Sequence, residues 1–325
     1  MPDLSIVRRG GQIVQFAGGA VPALFDRAGD RSRQRFIEFF TANIRNPNTR
    51  VAYHRAVCRF ADWCRKHQVS LDQLAPVIVA AYVEELGTIL DAPSVKQHLA
   101  AIRMLFDYLI IGQVVPVNPA AAVRGPKHVV KRGKTPVLSP DQARTLLDSI
   151  DVATIGGLRD RAIIGAMVFS FARVSALIGM NVEDYYPDGK RWWIRLHEKG
   201  GKFHEVPAHH NAEEYLDEYL AAAGITGQQK VPLFRSLSRR RELTDRRISR
   251  REVLAMIKRR VCDAGLPDRI CCHTFRATGI TAYLLNGGTL EHAQRIAAHE
   301  SPRTTKLYDR TSDEITLDEI ERILI

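Results

Sequence analysis

The stretch VNPAAAVRGPKHVVKRGKTPVLSP, residues 117–140, puts four prolines and two glycines into 24 residues. Proline fixes φ and lacks an N–H, and glycine weakens helix and strand interiors, so no regular element runs through it. Sequence patterned for burial lies on both sides. A chain of 325 residues interrupted in this way is expected to form two domains around a linker, with the boundary near residue 132. The linker is also basic: Lys127, Lys131, Arg132 and Lys134 suit phosphate groups.

Upstream of the linker the hydrophobic period is helical. Residues 1–30 are Gly-rich and read as a poorly ordered lead-in with room for one short element. Residues 31–116 then read as a bundle of about four helices. In APSVKQHLAAIRMLFDYLI, for example, Val95, Leu99, Ile102, Leu105, Phe106 and Leu109 fall on one face. Downstream of a linker at 117–136, Ser139 is placed to cap a helix. GLRDRAIIGAMVFSFARVSALIGM reads as helix, turn and helix, with Arg173 inside an otherwise apolar helical stretch. RWWIRLHEKGGKFHEVPAH reads as a β-hairpin with Lys199 and Lys202 at its tip. After it the pattern is helical to residue 325. The expected fold is mainly α, with a small β-hairpin or sheet in the second domain, residues 137–325.

Lys and Arg number 47 against 36 Asp and Glu, a net charge of +11. A surplus of this size points to a polyanionic partner, above all nucleic acid. The five cysteines, Cys58, Cys64, Cys262, Cys271 and Cys272, are odd in number and form no CxxC pair. That pattern argues against a disulfide framework or a zinc knuckle and fits a reducing compartment. No apolar run is long enough for a membrane span, and the first residues lack the build of a signal peptide. A cytoplasmic location is expected.

If the partner is DNA, breaking its phosphodiester without a metal sets a demanding list. Arginine forks must hold the two non-bridging oxygens as charge gathers on them. A nucleophile must attack, and an acid must protonate the leaving oxygen. The second half of the chain holds Arg173 in FARVSAL, Lys199 and Lys202 in KGGK, His273 and Arg276 in CCHTFRATGI, and His299 and Tyr308 in HESPRTTKLY. Each is weak alone: HxxR is common, Gly-Lys turns are common, and a tyrosine is usually a packing residue with a polar tip.

The specificity lies in the ordered set, which resembles the tyrosine recombinase (phage integrase) family in its Xer and integrase branches. FARVSAL is similar to the family's first box, HEKGGKFHEVP to its lysine hairpin, and HTFRATGITAYLLNGGTLEHAQRIAAHESPRTTKLYDR to the second box through the tyrosine. The resemblance implies a SAM-like core-binding domain ahead of the linker and a catalytic domain after it, clamping double-stranded DNA between them. It implies that Tyr308 attacks the scissile phosphate and forms a 3′-phosphotyrosyl link. Arg173 and Arg276 would hold the phosphate oxygens, with Lys199 as general acid and Lys202 as the second choice. His273 would be the base and His299 a phosphate contact. One ester is exchanged for another, so no cofactor is expected. The cationic cluster is expected to favour the phenolate of Tyr308. The sequence departs from the family pattern at Ala176, where an acid usually follows the first arginine by three positions, and at Phe275 and Ala277 in the second box.

DNA contacts are expected from the basic run between Arg235 and Arg260, especially Arg246, Arg247, Arg250 and Arg251, with Lys258, Arg259 and Arg260 on the same helix. In the first domain Arg45, Thr49, Arg50, Lys96 and Arg103 are the candidates. The C-terminal segment SDEITLDEIERILI carries an apolar face that packs on its own core or, as the resemblance implies, docks on a neighbouring protomer. The oligomer would be a dimer on each site and a tetramer in the synapse. The implied tasks are DNA integration, excision or resolution. Competing readings are a type IB topoisomerase, a catalytically impaired sequence-specific DNA-binding protein, and a phosphodiesterase without a covalent step.

Overall fold

The structure, a computed structural model, describes residues 6–9, 12–16, 21–130, 133–198 and 203–310. The chain forms two units, residues 1–129 and 130–325. In the first, an antiparallel pair of strands, β1 (Ile6–Arg9) and β2 (Gln12–Phe16), precedes the helices. These are α1 (Ala23–Asp26), α2 (Asp30–Glu38), α3 (Pro47–Lys66), α4 (Pro76–Ile89) and α5 (Ala92–Ile111). α2 runs on into a π-helical turn, Phe39–Asn43. Asn46 starts α3 by accepting hydrogen bonds from the Asn48 and Thr49 amides, with Pro47 supplying the fixed φ of a first turn. The face of α5 read from its period is the core face: Val95, Leu99, Ile102, Leu105, Phe106 and Leu109 are at most 2% exposed. Phe36, Phe40, Phe60 and Tyr82 fill the space around it in edge-to-face pairs.

The second unit opens with α6 (Pro140–Asp148), where Ser139 and Gln142 form a reciprocal capping box. α7 (Ile155–Phe169) is buried along its length. A turn leads to α8 (Val174–Gly179), and Arg173 is the N-cap of that helix, not a residue within one. A three-stranded antiparallel sheet follows in the order β3 (Tyr185–Asp188), β4 (Arg191–His197), β5 (Phe203–Pro207), with Ile194 opposite Val206 and His197 opposite Phe203. α9 (His210–Ala223) then packs on α7.

The segment read as helical beyond this point contains a hairpin, β6 (Arg235–Leu237) and β7 (Leu243–Arg247). Its buried positions are Ser236 and Arg235, held by bonds to Thr244 and Asp245, so no aliphatic alternation marked it as strand. Four helices follow among the described residues: α10 (Arg250–Asp263), α11 (Cys272–Leu285), α12 (Leu290–Ile296) and α13 (Pro302–Lys306). Among the described residues no helix is long and apolar enough to cross a membrane.

Two features fix α7 against its neighbours. Asp160, fully buried, accepts from Arg159 through one oxygen and from Arg259 and Arg260 through the other, tying α10 to α7. A buried carboxylate persists only with such partners. Gly279 of α11 lies so close to α7 that a Cβ there would sit 2.0 Å from the Val168 carbonyl oxygen. Backbone cannot yield as a side-chain tip does. Gly279→Ala is therefore expected to lower stability by about 1–3 kcal/mol or more through overpacking. The check is the midpoint of chemical unfolding, and an unchanged midpoint would contradict the close approach.

Candidate active site

Arg276 lies on α11, one turn after His273, and is only 1% exposed. Its Nη1 donates to the Phe171 carbonyl and its Nη2 to the Ala297 carbonyl. Its Nε is buried and has no acceptor among the described residues. Burial, with Arg173 nearby, brings its pKa down to about 10, so it is still a cation at neutral pH. The backbone is bent to serve it: Phe171 has φ +52° and Ala298, next to Ala297, has φ +46°. Left-handed backbone costs a non-glycine residue about 1–2 kcal/mol. One of the guanidinium's carbonyl partners thus sits at a strained position and the other directly precedes one, as happens where a site is over-determined by its surroundings. A rigid, desolvated guanidinium with an unused donor is suited to an anionic oxygen.

Tyr308 follows α13 and is 6% exposed. Its hydroxyl lies 2.6 Å from His273 Nε2, within hydrogen-bond distance, and its ring stacks on His299 with centroids 5.8 Å apart. Its carbonyl accepts from Thr281 Oγ1 at 2.9 Å. The linker end also holds this segment: the Gly133 amide donates to the Leu307 carbonyl at 2.9 Å. Arg310 donates to the Gly133 carbonyl at 2.7 Å. A Cβ on residue 133 would meet the Leu307 oxygen at 2.6 Å, so the approach requires glycine.

The electrostatics correct one expectation. The pKa of Tyr308 is raised, because burial of the phenolate outweighs the pull of Arg276 and Arg173. The nearby cations alone therefore do not make it a phenolate. Burial, then Arg276 and Arg173, hold the pKa of His273 down and keep the imidazole neutral, with Nε2 at the phenol, the arrangement a general base requires. His299 is 7% exposed and pushed to about 3 by burial and then by Arg276, Arg173 and His273. Its Nδ1 is 2.8 Å from Thr305 Oγ1. With Thr305 donating, the ring proton sits on Nε2 and makes it a hydrogen-bond donor.

A histidine held neutral in the fold takes its proton sooner when unfolded. The unfolded state then binds more protons below pH ~6.5, so stability is present above that pH and is lost as pH falls towards the folded value. His54, His98, His209 and His273 are depressed by burial in the same direction. The unfolding midpoint is expected to be lower at pH 5.5 than at 7.5, with a smaller drop in His299→Gln. A flat or rising profile would contradict it.

Arg173 stands at the N-cap of α8, and its Nη1 bonds Glu198 Oε2 at 2.6 Å. Arg173, His273, Arg276, His299 and Tyr308 thus share one site through direct bonds, ring contacts or mutual charge effects. Lys199 and Lys202 lie outside the described residues, between the paired strand ends His197 and Phe203. Glu198, Thr305 and Thr281 were missed in sequence. Only Glu198 had a local signal, as a lone acid before KGGK.

The nominated DNA contacts divide. Arg45, Lys96, Lys134, Arg246, Arg250 and Arg251 are exposed, and Thr49 is half-buried. Arg246 pairs with Glu252. Three others are spent inside the fold. Arg50 donates to the Ile44 carbonyl, Arg103 to the Ala120 and Val123 carbonyls, and Arg247 to the Ile178 and Met180 carbonyls. Loop carbonyls near helix ends need donors, and these arginines supply them. Arg259 and Arg260 serve Asp160, and Lys258 serves the Asp268 carbonyl. Lys131 and Arg132 lie outside the described residues, as does the C-terminal segment 311–325.

Comparison with known proteins matches residues 136–314 to the Phage integrase family and residues 34–112 to the Phage integrase, N-terminal SAM-like domain. Tyrosine recombinase XerC of Pelobacter propionicus is 31% identical over 271 residues, covering 82% of this chain and 86% of its own. Among solved structures, the XerH site-specific recombinase bound to a palindromic difH substrate superposes with a TM-score of 0.69 at 18% identity, covering 87% of this chain and 82% of the other. A lambda integrase tetramer bound to a Holliday junction superposes with a TM-score of 0.64 at 19% identity, covering 90% and 79%.

Proposed function

The chain belongs to the phage integrase family, and from that premise we propose how its residues carry out site-specific DNA recombination. It is a tyrosine-type recombinase, an enzyme that breaks and rejoins DNA. Tyr308 Oη attacks the scissile phosphorus while His273 Nε2 takes the phenol proton. The P–O bond to the 5′-oxygen breaks, and Lys199 gives that oxygen its proton, leaving a 3′-phosphotyrosyl ester and a free 5′-hydroxyl. Arg173 and Arg276 fork the non-bridging oxygens, and His299 donates to one of them. These groups are most valuable as charge gathers in the transition state. A 5′-hydroxyl from the partner duplex reverses the chemistry and completes strand exchange. One phosphodiester replaces another, so the step needs no energy source.

The observation that carries this reading is the 2.6 Å bond from the Tyr308 hydroxyl to a neutral His273, beside a buried Arg276 whose Nε has no acceptor. A packing tyrosine would not need that neighbourhood. Arg45, Thr49, Lys96, Lys134, Arg250 and Arg251 contact the DNA backbone, with Lys131, Arg132 and Lys202. The enzyme works in the cytoplasm as a dimer on each site and a tetramer in the synapse, joined through the C-terminal segment. The test is to incubate two differently marked duplexes bearing the site. Exchange of flanks is the expected result, and relaxation of supercoils without exchange would favour a topoisomerase.

A further inference from the structure

Glu198 directly follows β4 and directly precedes Lys199. Its side chain is only 9% exposed, and among the described residues its one side-chain bond is to Arg173. Among the described residues Arg173 has no other side-chain partner, and its side chain is 43% exposed. An arginine left in that state samples many rotamers, and holding it in one costs up to ~2 kcal/mol of entropy. From α8 itself no carboxylate reaches it: the third residue after Arg173 is Ala176, 2% exposed. Glu198 is thus the group that fixes the guanidinium.

We propose that Glu198 is a positioning residue for the recombination reaction, holding Arg173 by one edge so that its remaining donors meet the phosphate. This rests on the recombinase reading. A guanidinium has five donors, and a bond through Nη1 leaves the others for an anion. Glu198 also bears on Arg276, whose charged form it favours. Because the same residue precedes Lys199, the phosphate clamp and the hairpin that carries the general acid share one anchor.

The carboxylate acts in two opposing ways. It repels the DNA phosphate, which weakens ground-state binding. It also preorganises a cation that matters most in the transition state. Removing it should therefore separate binding from chemistry, which loss of a purely structural ion pair would not do.

The test is single-turnover cleavage of a nicked suicide duplex, read together with DNA affinity and the unfolding midpoint. E198A is expected to cleave roughly 10- to 100-fold more slowly, the scale of losing a partner that orients a catalytic group, with affinity unchanged or tighter. E198Q keeps the shape and an acceptor oxygen and is expected to fall between E198A and wild type. The double variant E198A/A176E returns a carboxylate to Arg173 from α8 and is expected to recover part of the rate. Cleavage by E198A within about twofold of wild type, or a slowing matched by equal losses of affinity and midpoint, overturns the proposal. So does E198Q as slow as E198A, or a double variant that keeps the wild-type midpoint and is no faster than E198A. Should wild type itself form no covalent adduct, the recombinase reading fails. A wild-type adduct with an unaffected E198A removes only the role of Glu198.

Discussion

Tyr308→Phe is expected to bind the recombination site with near wild-type affinity and to form no covalent adduct with it. The ring is 6% exposed and stacked on His299, and phenylalanine preserves both features. Only the hydroxyl is lost, and with it the bond to His273. That bond contributes on the order of 1 kcal/mol to stability, so the fold should survive. The chemistry should not: deleting the nucleophile of a covalent mechanism removes at least ~10⁴-fold in rate. The measurement is a nicked suicide duplex run on a denaturing gel, where wild type gives a protein–DNA band and the variant gives none. An adduct that persists in Tyr308→Phe would place the nucleophile elsewhere.

Arg276→Lys carries the second large effect. The guanidinium serves two carbonyls from separate segments of the chain, at Phe171 and Ala297, and among the described residues still keeps an unused donor. An ammonium cannot span both carbonyls and fork a phosphate. At a position 1% exposed, burial would also push a lysine towards its neutral form. The strained residues Phe171 and Ala298 would lose the bonds that hold the backbone around them. The expected outcome is a fall in cleavage of ~10²–10³-fold or more, together with a lower unfolding midpoint, because a buried acceptor left unpaired costs ~1–3 kcal/mol. Adduct formation within tenfold of wild type would show that Arg276 is a scaffold residue alone.

The cluster around Tyr308 was more legible in sequence than the surface was. Arg173, His273, Arg276, His299 and Tyr308 could be nominated because phosphoryl transfer demands particular side-chain types, and their order along the chain was distinctive. The core face of α5 was legible because burial on one side of a helix imposes its period on the sequence. The basic run was harder. Arg247, Arg259 and Arg260 read like a phosphate-binding surface, yet they answer loop carbonyls and Asp160. Those acceptors come from residues 67 to 100 positions away, a distance no local pattern reports. The β6–β7 hairpin was hidden for a related reason, since its buried side chains are polar and paired. The pKa of Tyr308 needed a volume rather than a list. Cations near the phenol were visible in sequence, but the desolvation that outweighs them was not.

The bonds between Gly133 and the tyrosine segment bear on how the chain can be divided. The match to the catalytic family begins at residue 136, and a fragment cut there would look complete by sequence. It would lack the amide that meets the Leu307 carbonyl and both carbonyls, of Gly133 and Thr135, that receive Arg310. The cut would spare the core and loosen the residues on either side of Tyr308. The shortest piece of chain that holds the Tyr308 segment by all of these contacts therefore begins at Gly133 or before, within what sequence alone marks as linker.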